Sequence, residues 1–132
     1  MEPAAGDPAI DSLLARARER IAPRVAASEL DAVMATGALV VDTRCAAHRE
    51  RDGALPGAVV LERNVLEWRL DPTSPHRLPD AGAADRQVVV VCDEGYASSL
   101  AAATLVDLGL HRATDLEGGY LAWREQGAGR DG

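Results

Sequence analysis

The sequence predicts an α/β fold in which helices flank a central parallel sheet. Short apolar runs alternate with helical patterns along the chain, and this alternation favours parallel strands joined by right-handed crossovers. The runs at 38–42 and 88–91 are continuous stretches of apolar residues, the first ending in the charge of Asp42, as expected for strands that are buried on both faces of the sheet. Ligands of such sheets bind beyond the carboxyl ends of the strands, so a functional site is expected there.

Composition indicates a single domain with an aliphatic core. A chain of 132 residues is long enough to bury a core of its own. Hydrophobic residues make up 47% of the chain, whereas aromatic residues make up only 3% and phenylalanine is absent. The core is therefore expected to consist of valine, leucine, isoleucine and alanine.

Charge and cysteine usage exclude several classes of function. The formal net charge of −7 disfavours nucleic acid and anionic membranes as partners. All 14 basic residues are arginine, which excludes Schiff-base lysine chemistry and a P-loop lysine. The start of the chain lacks the features of a signal peptide, and no apolar run reaches the roughly 20 residues of a membrane span. Two distant cysteines without an export signal predict free thiols and a cytoplasmic protein.

The first part of the chain predicts two helices. Asp7 and Pro8 have the pattern of a helix cap followed by proline at the first helical position. Apolar residues then recur at helical spacing from Ile10 to Ile21. Ser28 is expected to cap a second helix, for which Gly37 is the stop signal.

The rest of the chain predicts the strands and the remaining helices. Strands are expected at 38–42, 58–61, 88–91 and 113–116, and helices at 65–70, 100–108 and 120–125. The polar segment 43–57 is expected to be mostly loop or a short helix. Segment 71–87 holds three of the seven prolines and no periodicity, and it is expected to be a surface connection.

The most informative residue is Cys92, where the apolar run Val88–Val91 ends and a short polar loop leads into a helix. Backbone N–H groups of such a loop and of the first helical turn converge and stabilise negative charge. A thiol in this position tends to ionise and act as a nucleophile. Taken alone, the pattern is more typical of a small buried hydrophobic residue, because free cysteine is among the most buried residue types.

Four separate motifs, in the expected order, resemble those of the rhodanese family of sulfurtransferases. They are VVDTR at 40–44, GALPGA at 53–58, VCDEGYAS at 91–98 and LEGGYLAW at 116–123. The resemblance covers roughly residues 25–126 and implies a three-layer fold whose active-site loop joins a strand to a helix N-terminus. It divides the chain into an N-terminal helical extension at 1–24, a rhodanese-like domain at 25–127 and a flexible tail at 128–132.

The resemblance implies a single-domain sulfurtransferase that uses no cofactor. Cys92 would carry sulfane sulfur as a persulfide and pass it to a thiophilic acceptor, which is covalent catalysis in two steps. The backbone amides of the loop would form the anion cradle, from Asp93, Glu94, Gly95, Tyr96, Ala97 and Ser98. The expected partners are a small sulfur donor or a persulfide-donating protein, and a thiol or cyanide-like acceptor. The oligomeric state is not indicated.

Three loop residues bear on how the loop works. Gly95 lets the backbone curl without a Cβ penalty, and Ser98 or Ser99 is expected to cap the following helix while facing the sulfur. Ser98 also stands six residues after Cys92, where a cysteine phosphatase of the same fold needs its arginine. This disfavours a phosphatase or an arsenate reductase.

The loop departs from the family pattern in its charge. Asp93 and Ala97 occupy positions that the family often fills with arginine, and Glu94 adds a second acid. Carboxylates beside a thiolate repel a dianion such as thiosulfate, so thiosulfate is predicted to be a poor donor. Arg63 and Arg44 are the candidate substrate-binding residues that could offset this negative charge.

Alternative interpretations stay open for several features. Asp42 and Arg44 are more typical of a pair that holds the loop than of catalytic groups. Cys45 is expected to be an incidental loop thiol, with a resolving or sulfur-relay role as the alternative. The histidines show no metal-ligand spacing, so no metal site is expected. For the whole chain, the alternative is a catalytically weak rhodanese-like module that binds a protein or senses sulfur or redox state.

Overall fold

The computed structural model describes residues 8–79 and 84–127, and these contain four strands and six α-helices. The strands are β1 (Leu39–Asp42), β2 (Val59–Val60), β3 (Val88–Val91) and β4 (Ala113–Asp115). The helices are α1 (Ala9–Arg20), α2 (Leu30–Ala35), α3 (Ala46–Asp52), α4 (Leu66–Leu70), α5 (Ala97–Leu108) and α6 (Gly119–Gln126). The predicted flexible tail at 128–132 lies outside the described residues.

The sheet is parallel throughout and has the strand order β2-β1-β3-β4. Val41 of β1 pairs with Val59 of β2 and with Val90 of β3, and Val90 pairs with Asp115 of β4. Because all the strands run in one direction, their carboxyl ends meet at one edge of the sheet. The predicted α/β fold, with a parallel sheet between helices, is confirmed.

Each face of the sheet has its own hydrophobic core. Side chains alternate between the faces along a strand, and every residue of β1 and β3 is buried. Helices α1, α4 and α5 cover one face through Ala17, Leu70 and Leu105. Helices α2 and α6 cover the other face through Leu30 and Tyr120. The continuous apolar runs of β1 and β3 therefore correspond to strands that are buried on both sides, as predicted, whereas the edge strand β2 is half-buried at Val59 and exposed at Val60.

Helix α5 begins earlier than the sequence pattern indicates. Its first residue is Ala97, whereas the apolar periodicity predicts a start at Leu100. The intervening Ser98 and Ser99 are polar, so they do not continue the apolar pattern, yet both are fully buried in the first turn. The early start matters because it brings the N-terminus of α5 directly against the loop after Cys92.

The start of α2 also differs from the prediction, because Ser28 does not cap it. Ser28 lies within a 3₁₀ turn (Ala27–Glu29) that precedes the helix. The side chain of Glu29 accepts a hydrogen bond of 3.0 Å from the backbone N–H of Ala26. This contact satisfies an N–H that precedes the turn, whereas the prediction had the Ser28 hydroxyl accept an N–H within the first turn of the helix.

Helix α1 packs against α5 and is anchored near β4. Ala17 and Ile21 belong to the same core as Leu105. The hydroxyl of Thr114 donates a hydrogen bond of 2.8 Å to the carbonyl oxygen of Ile21. The segment that precedes the family-like motifs is thus held in a defined place beside the sheet. No helix within the described ranges is long and apolar enough to cross a bilayer.

Candidate active site

A cleft of about 340 Å³ opens at the carboxyl edge of the sheet. It lies between the residues after β1, the loop after β3 and the side chains of two short helical segments. Its lining consists of Thr43, Arg44, Cys45, His48, Arg63, Cys92, Asp93, Glu94, Tyr96 and Ala97. The structure therefore brings Cys92, four of the predicted loop residues and both candidate arginines to one cleft. Its volume is typical of a small-molecule site.

Cys92 follows β3 directly, and the loop after it surrounds its sulfur. The sulfur accepts hydrogen bonds from the backbone N–H groups of Gly95, at 3.2 Å, and Ser98, at 3.3 Å. Ser98 lies in the first turn of α5, where backbone N–H groups have no partner within the helix. Two N–H groups directed at one sulfur, together with the helix N-terminus, stabilise a thiolate or a persulfide anion.

The glycine pair of the closing motif, Gly118 and Gly119, packs against the backbone of the loop after Cys92. The N–H of Tyr120 donates to the carbonyl oxygen of Cys92 at 2.8 Å, and the N–H of Leu121 donates to that of Asp93 at 3.1 Å. Gly119 has a φ of +67°, and a Cβ there would lie 2.5 Å from the carbonyl oxygen of Asp93. This close approach requires glycine, and it directs the first carbonyls of the loop towards α6.

The hydroxyls of Ser98 and Ser99 do not cap α5, contrary to the prediction. Each donates a hydrogen bond of 2.7 Å to the carboxylate of Asp115. Asp115 is fully buried in β4, and a buried carboxylate must be hydrogen-bonded or ion-paired to remain charged. Arg24 supplies the ion pair, with its Nε 2.7 Å from one carboxylate oxygen. The N–H of Ser98 therefore donates to the sulfur of Cys92, whereas its hydroxyl donates to the carboxylate of Asp115.

Asp42 and Arg44 form a buried ion pair at the end of β1. The guanidinium of Arg44 is 2.8 Å from the Asp42 carboxylate and donates to the carbonyl oxygen of Gly53 at 2.9 Å. It also stacks on the ring of Tyr120, 3.7 Å from the ring centroid. These contacts join the strand end, the turn of the second motif and α6. They favour the structural interpretation of the pair and leave Arg63 as the better placed candidate for substrate.

Charges of both signs surround the mouth of the cleft. Arg63 is exposed and ion-paired with Glu67 at 2.9 Å. Arg51 lies 3.3 Å from the carboxylate of Asp93 and partly offsets its charge. Glu94 is exposed and forms no ion pair with any residue that the structure describes. Glu94 is thus the acid of the loop whose charge is least balanced by a direct partner.

Sequence reasoning missed three residues near the loop. His48 lines the cleft from α3. Arg18 and Arg24 come from the N-terminal segment, and both donate to the carbonyl oxygen of Gly95, at 2.8 Å and 3.0 Å. These two contacts join residues that are 77 and 71 positions apart. No local pattern links such distant residues, so no signal in the sequence could have identified them.

Both thiols of the chain are free and line the same cleft. Cys92 is buried, whereas Cys45 is exposed at the residue before α3. Within residues 8–79 and 84–127, no group of three or more His, Cys, Asp or Glu side chains could hold a metal ion. The Cys92 sulfur in its cradle of backbone N–H groups is suited to nucleophilic attack as a thiolate.

In a comparison with protein families, the model of the rhodanese-like domain matches residues 26–126. This span contains all four motifs, the two cysteines and the whole sheet. It begins after α1, so Arg18 and Arg24 lie just outside it.

Individual relatives point to sulfur transfer. Thiosulfate sulfurtransferase GlpE of Stutzerimonas stutzeri (strain A1501) is 32% identical over 104 residues, which cover 76% of this chain and 84% of that protein. The human single-domain sulfurtransferase TSTD1 is 25% identical, with a TM-score of 0.67 over 80% of this chain and 97% of that chain. The matches cover most of the length of both relatives.

A further solved structure matches nearly the whole chain. It is a protein of unknown function from Rhodopseudomonas palustris CGA009, described as a possible tyrosine phosphatase. The two chains are 33% identical with a TM-score of 0.80, and the match covers 96% of this chain and 97% of the other. The similarity therefore includes most of the N-terminal segment that lies outside the family match.

Proposed function

Because the chain belongs to the rhodanese-like family, we propose that it is a sulfurtransferase that carries sulfane sulfur as a persulfide on Cys92. One observation carries the proposal. The sulfur of Cys92 lies at the floor of an open cleft and accepts the N–H groups of Gly95 and Ser98. The relatives support the class of reaction, and this geometry supports the residue that performs it.

The proposed reaction has two displacement steps. First, the Cys92 thiolate attacks the outer sulfur of a donor, forms an S–S bond and releases the rest of the donor; from thiosulfate, the leaving group is sulfite. Second, a nucleophilic acceptor attacks the terminal sulfur of the persulfide and restores the thiolate; cyanide leaves as thiocyanate. Each step exchanges one bond to sulfur for another, so no external oxidant or reductant is needed. The cradle stabilises the anionic sulfur in both states.

Phosphate hydrolysis is disfavoured by the end of the loop. A cysteine phosphatase of this fold needs an arginine six residues after the cysteine, and this chain has Ser98 there. The hydroxyl of Ser98 is also engaged with the buried carboxylate of Asp115. A phosphate held by this loop would therefore lack the guanidinium at the loop's end that binds its oxygens in pairs.

The proposal is tested by weighing the intact protein after incubation with thiosulfate, polysulfide or cysteine persulfide. The expected result is an added mass of about 32 Da, the mass of one sulfur atom, which cyanide or a thiol then removes. Failure to gain sulfur from all three donors would instead favour the alternative function, a catalytically weak module that binds a protein or senses sulfur or redox state.

The choice of donor is expected to depend on Glu94. Its unbalanced negative charge repels a dianion, so we expect thiosulfate to be a poor donor and Glu94→Gln to raise kcat/KM for thiosulfate by about two- to five-fold at low salt. Salt screens exposed charges, so the gain should fade at high ionic strength. The measurement is thiocyanate formation as a function of thiosulfate concentration and salt.

A matched control for this prediction is Glu125→Gln, which removes an exposed carboxylate from α6 outside the cleft lining. Equal gains in both variants would show that net charge, rather than Glu94, sets the donor preference. Turnover with thiosulfate as high in the unmodified protein as with polysulfide would contradict the predicted preference.

The remaining features of the function are also part of the proposal. The donor would be a small molecule with sulfane sulfur or a persulfide-donating protein, and the acceptor a thiol or a cyanide-like nucleophile. Arg63 is the proposed contact for a charged substrate, because its side chain lines the cleft beside Cys92. A cytoplasmic location and a reaction without a cofactor stay predictions.

A further inference from the structure

The carbonyl oxygen of Gly95 is the point at which the N-terminal segment contacts the loop of Cys92. Arg18 of α1 donates to this oxygen at 2.8 Å, and Arg24 donates to it at 3.0 Å. The N–H of the same glycine donates to the sulfur of Cys92 at 3.2 Å. The N–H and the C=O of Gly95 lie in successive peptide planes that are joined at its Cα. Fixing the carbonyl with two guanidinium groups therefore restricts the torsions through which the N–H could turn away from the sulfur.

Arg24 acts mainly by position, because its charge has a close counterion. Its Nε lies 2.7 Å from the buried carboxylate of Asp115, and Glu117 is 3.9 Å away. Burial alone lowers the pKa of Arg24, but the hydrogen bond to Asp115 and attraction to Asp115, Glu117 and the Cys92 thiolate raise it above its ordinary value. Arg24 therefore links the carboxylate that holds both loop serines to the carbonyl of Gly95.

Arg18 differs because its charge is not neutralised in the same way. Its Nε donates to the hydroxyl of Ser99 at 3.1 Å, and its guanidinium lies 5.4 Å from the ring centroid of Tyr96. Among the residues that the structure describes, no carboxylate lies within ion-pair distance of it. The path through Gly95 limits its distance from the sulfur to about 10 Å. This distance is comparable to the Debye length at physiological salt.

We propose that the segment before the family domain is a working part of the sulfur-transfer site: Arg18 and Arg24 are positioning residues that hold Gly95, and Arg18 also supplies positive charge that the loop lacks. The inference rests on the proposed function of Cys92. The loop itself carries Asp93 and Glu94 where positive charge would be useful, whereas both guanidinium groups contact the loop from residues outside the cleft lining. Arg18 of α1 would thus supply, from outside residues 26–126, positive charge that the loop does not have.

Other charged groups face the thiol and must be held constant in a test. In the cleft these are Arg44, Cys45, His48, Arg63, Asp93 and Glu94. Behind the loop, Asp115 lies beside Arg24. Substitutions that change only the N-terminal segment leave all of these side chains in place, so a difference in thiol reactivity can be assigned to the arginine that is replaced.

The test compares Arg18→Gln, Arg18→Lys and Arg24→Lys with the unmodified protein in the rate of iodoacetamide labelling of Cys92 from pH 5 to 10. Trypsin places Cys92 in the peptide 87–112 and Cys45 in the peptide 45–49, so mass mapping separates the two thiols. We expect Arg18→Gln to move the pH midpoint of Cys92 labelling upward by about half a unit to one unit, because a positive charge near the thiolate is lost. Arg18→Lys keeps the positive charge, so its midpoint should stay close to that of the unmodified protein.

The rate of sulfur loading provides the second measurement. Arg18→Gln and Arg24→Lys should each load sulfur about three- to ten-fold more slowly, because each loses a donor to the Gly95 carbonyl. The matched control is Arg20→Gln, which removes an arginine from the same helix that pairs with Asp107 of α5 and does not touch the loop. It should lose comparable helix-packing contacts but change neither the midpoint nor the loading rate. Thermal unfolding of every variant checks that α1 stays folded.

Two outcomes overturn the inference. In the first, Arg18→Gln has the same pH midpoint of Cys92 labelling and the same rate of sulfur loading as Arg20→Gln. In the second, Arg18→Lys moves the pH midpoint of Cys92 labelling as far as Arg18→Gln does. A separate outcome concerns the proposed function alone. If the unmodified protein accepts sulfur from no donor, sulfur transfer is wrong, whereas the labelling profile still reports whether the N-terminal arginines act on Cys92.

Discussion

Replacing Cys92 with serine is expected to abolish sulfur loading, with a loss of turnover of about 1,000-fold or more. Serine has nearly the same size and keeps the hydrogen bonds of the cradle, but its hydroxyl is not ionised near neutral pH and forms no stable adduct with sulfane sulfur. The measurement combines the intact mass after incubation with the donor and the rate of thiocyanate formation.

The second cysteine provides the comparison for this result. Cys45 lines the same cleft but is exposed at the start of α3 and receives no cradle of N–H groups from the loop. We expect Cys45→Ser to retain the sulfur adduct. A loss as large as that of Cys92→Ser would instead support a relay through both thiols, as would a Cys45–Cys92 disulfide trapped by mild oxidation.

The second large effect is expected for Gly95→Ala. Gly95 has a φ of +88°, and a Cβ there would lie 2.7 Å from the backbone nitrogen of Gly118 and 3.1 Å from its Cα. Backbone atoms cannot move aside as a flexible side chain does, so strain and overpacking should lower the free energy of unfolding by about 2–4 kcal/mol. The displaced N–H should also slow sulfur loading by about ten-fold or more.

The control for Gly95 is Gly37→Ala, which has a similar φ of +96° but no atom within 4 Å of an added Cβ. It should show only the cost of a left-handed backbone, about 1–2 kcal/mol, with normal sulfur loading. Urea unfolding of both variants gives the two free energies. If the two substitutions lower the free energy of unfolding equally, close packing of the loop against the closing glycines does not add to the cost of Gly95→Ala.

The sheet could be predicted well because its signal is local. The apolar runs of β1 and β3 are strands whose successive residues are buried on opposite faces, and the boundaries of β3 and of the Cys92 loop follow directly from where the valine run ends. The start of α5 was missed for the opposite reason. Ser98 and Ser99 are polar in sequence, and only the position of Asp115 beneath them makes their burial favourable.

The functional site could be predicted only in part. The thiol, its loop and Arg63 come from motifs or neighbouring segments, and the structure places them together. Arg44 shows the limit of this approach, because a strand-end arginine near the site could contact either substrate or protein. Its partner Asp42 and the ring of Tyr120 engage its guanidinium in the folded chain.

By itself, the sequence determined the parallel sheet, the thiol at the end of β3, the family and the acidic character of the loop, because each of these depends on consecutive residues. Only the tertiary structure decided how that loop is held and which distant side chains contact it. Arg18 and Arg24 reach Gly95 across more than half of the chain. Such contacts depend on how α1 packs beside α5, and packing of distant segments leaves no periodic or local pattern in a single sequence.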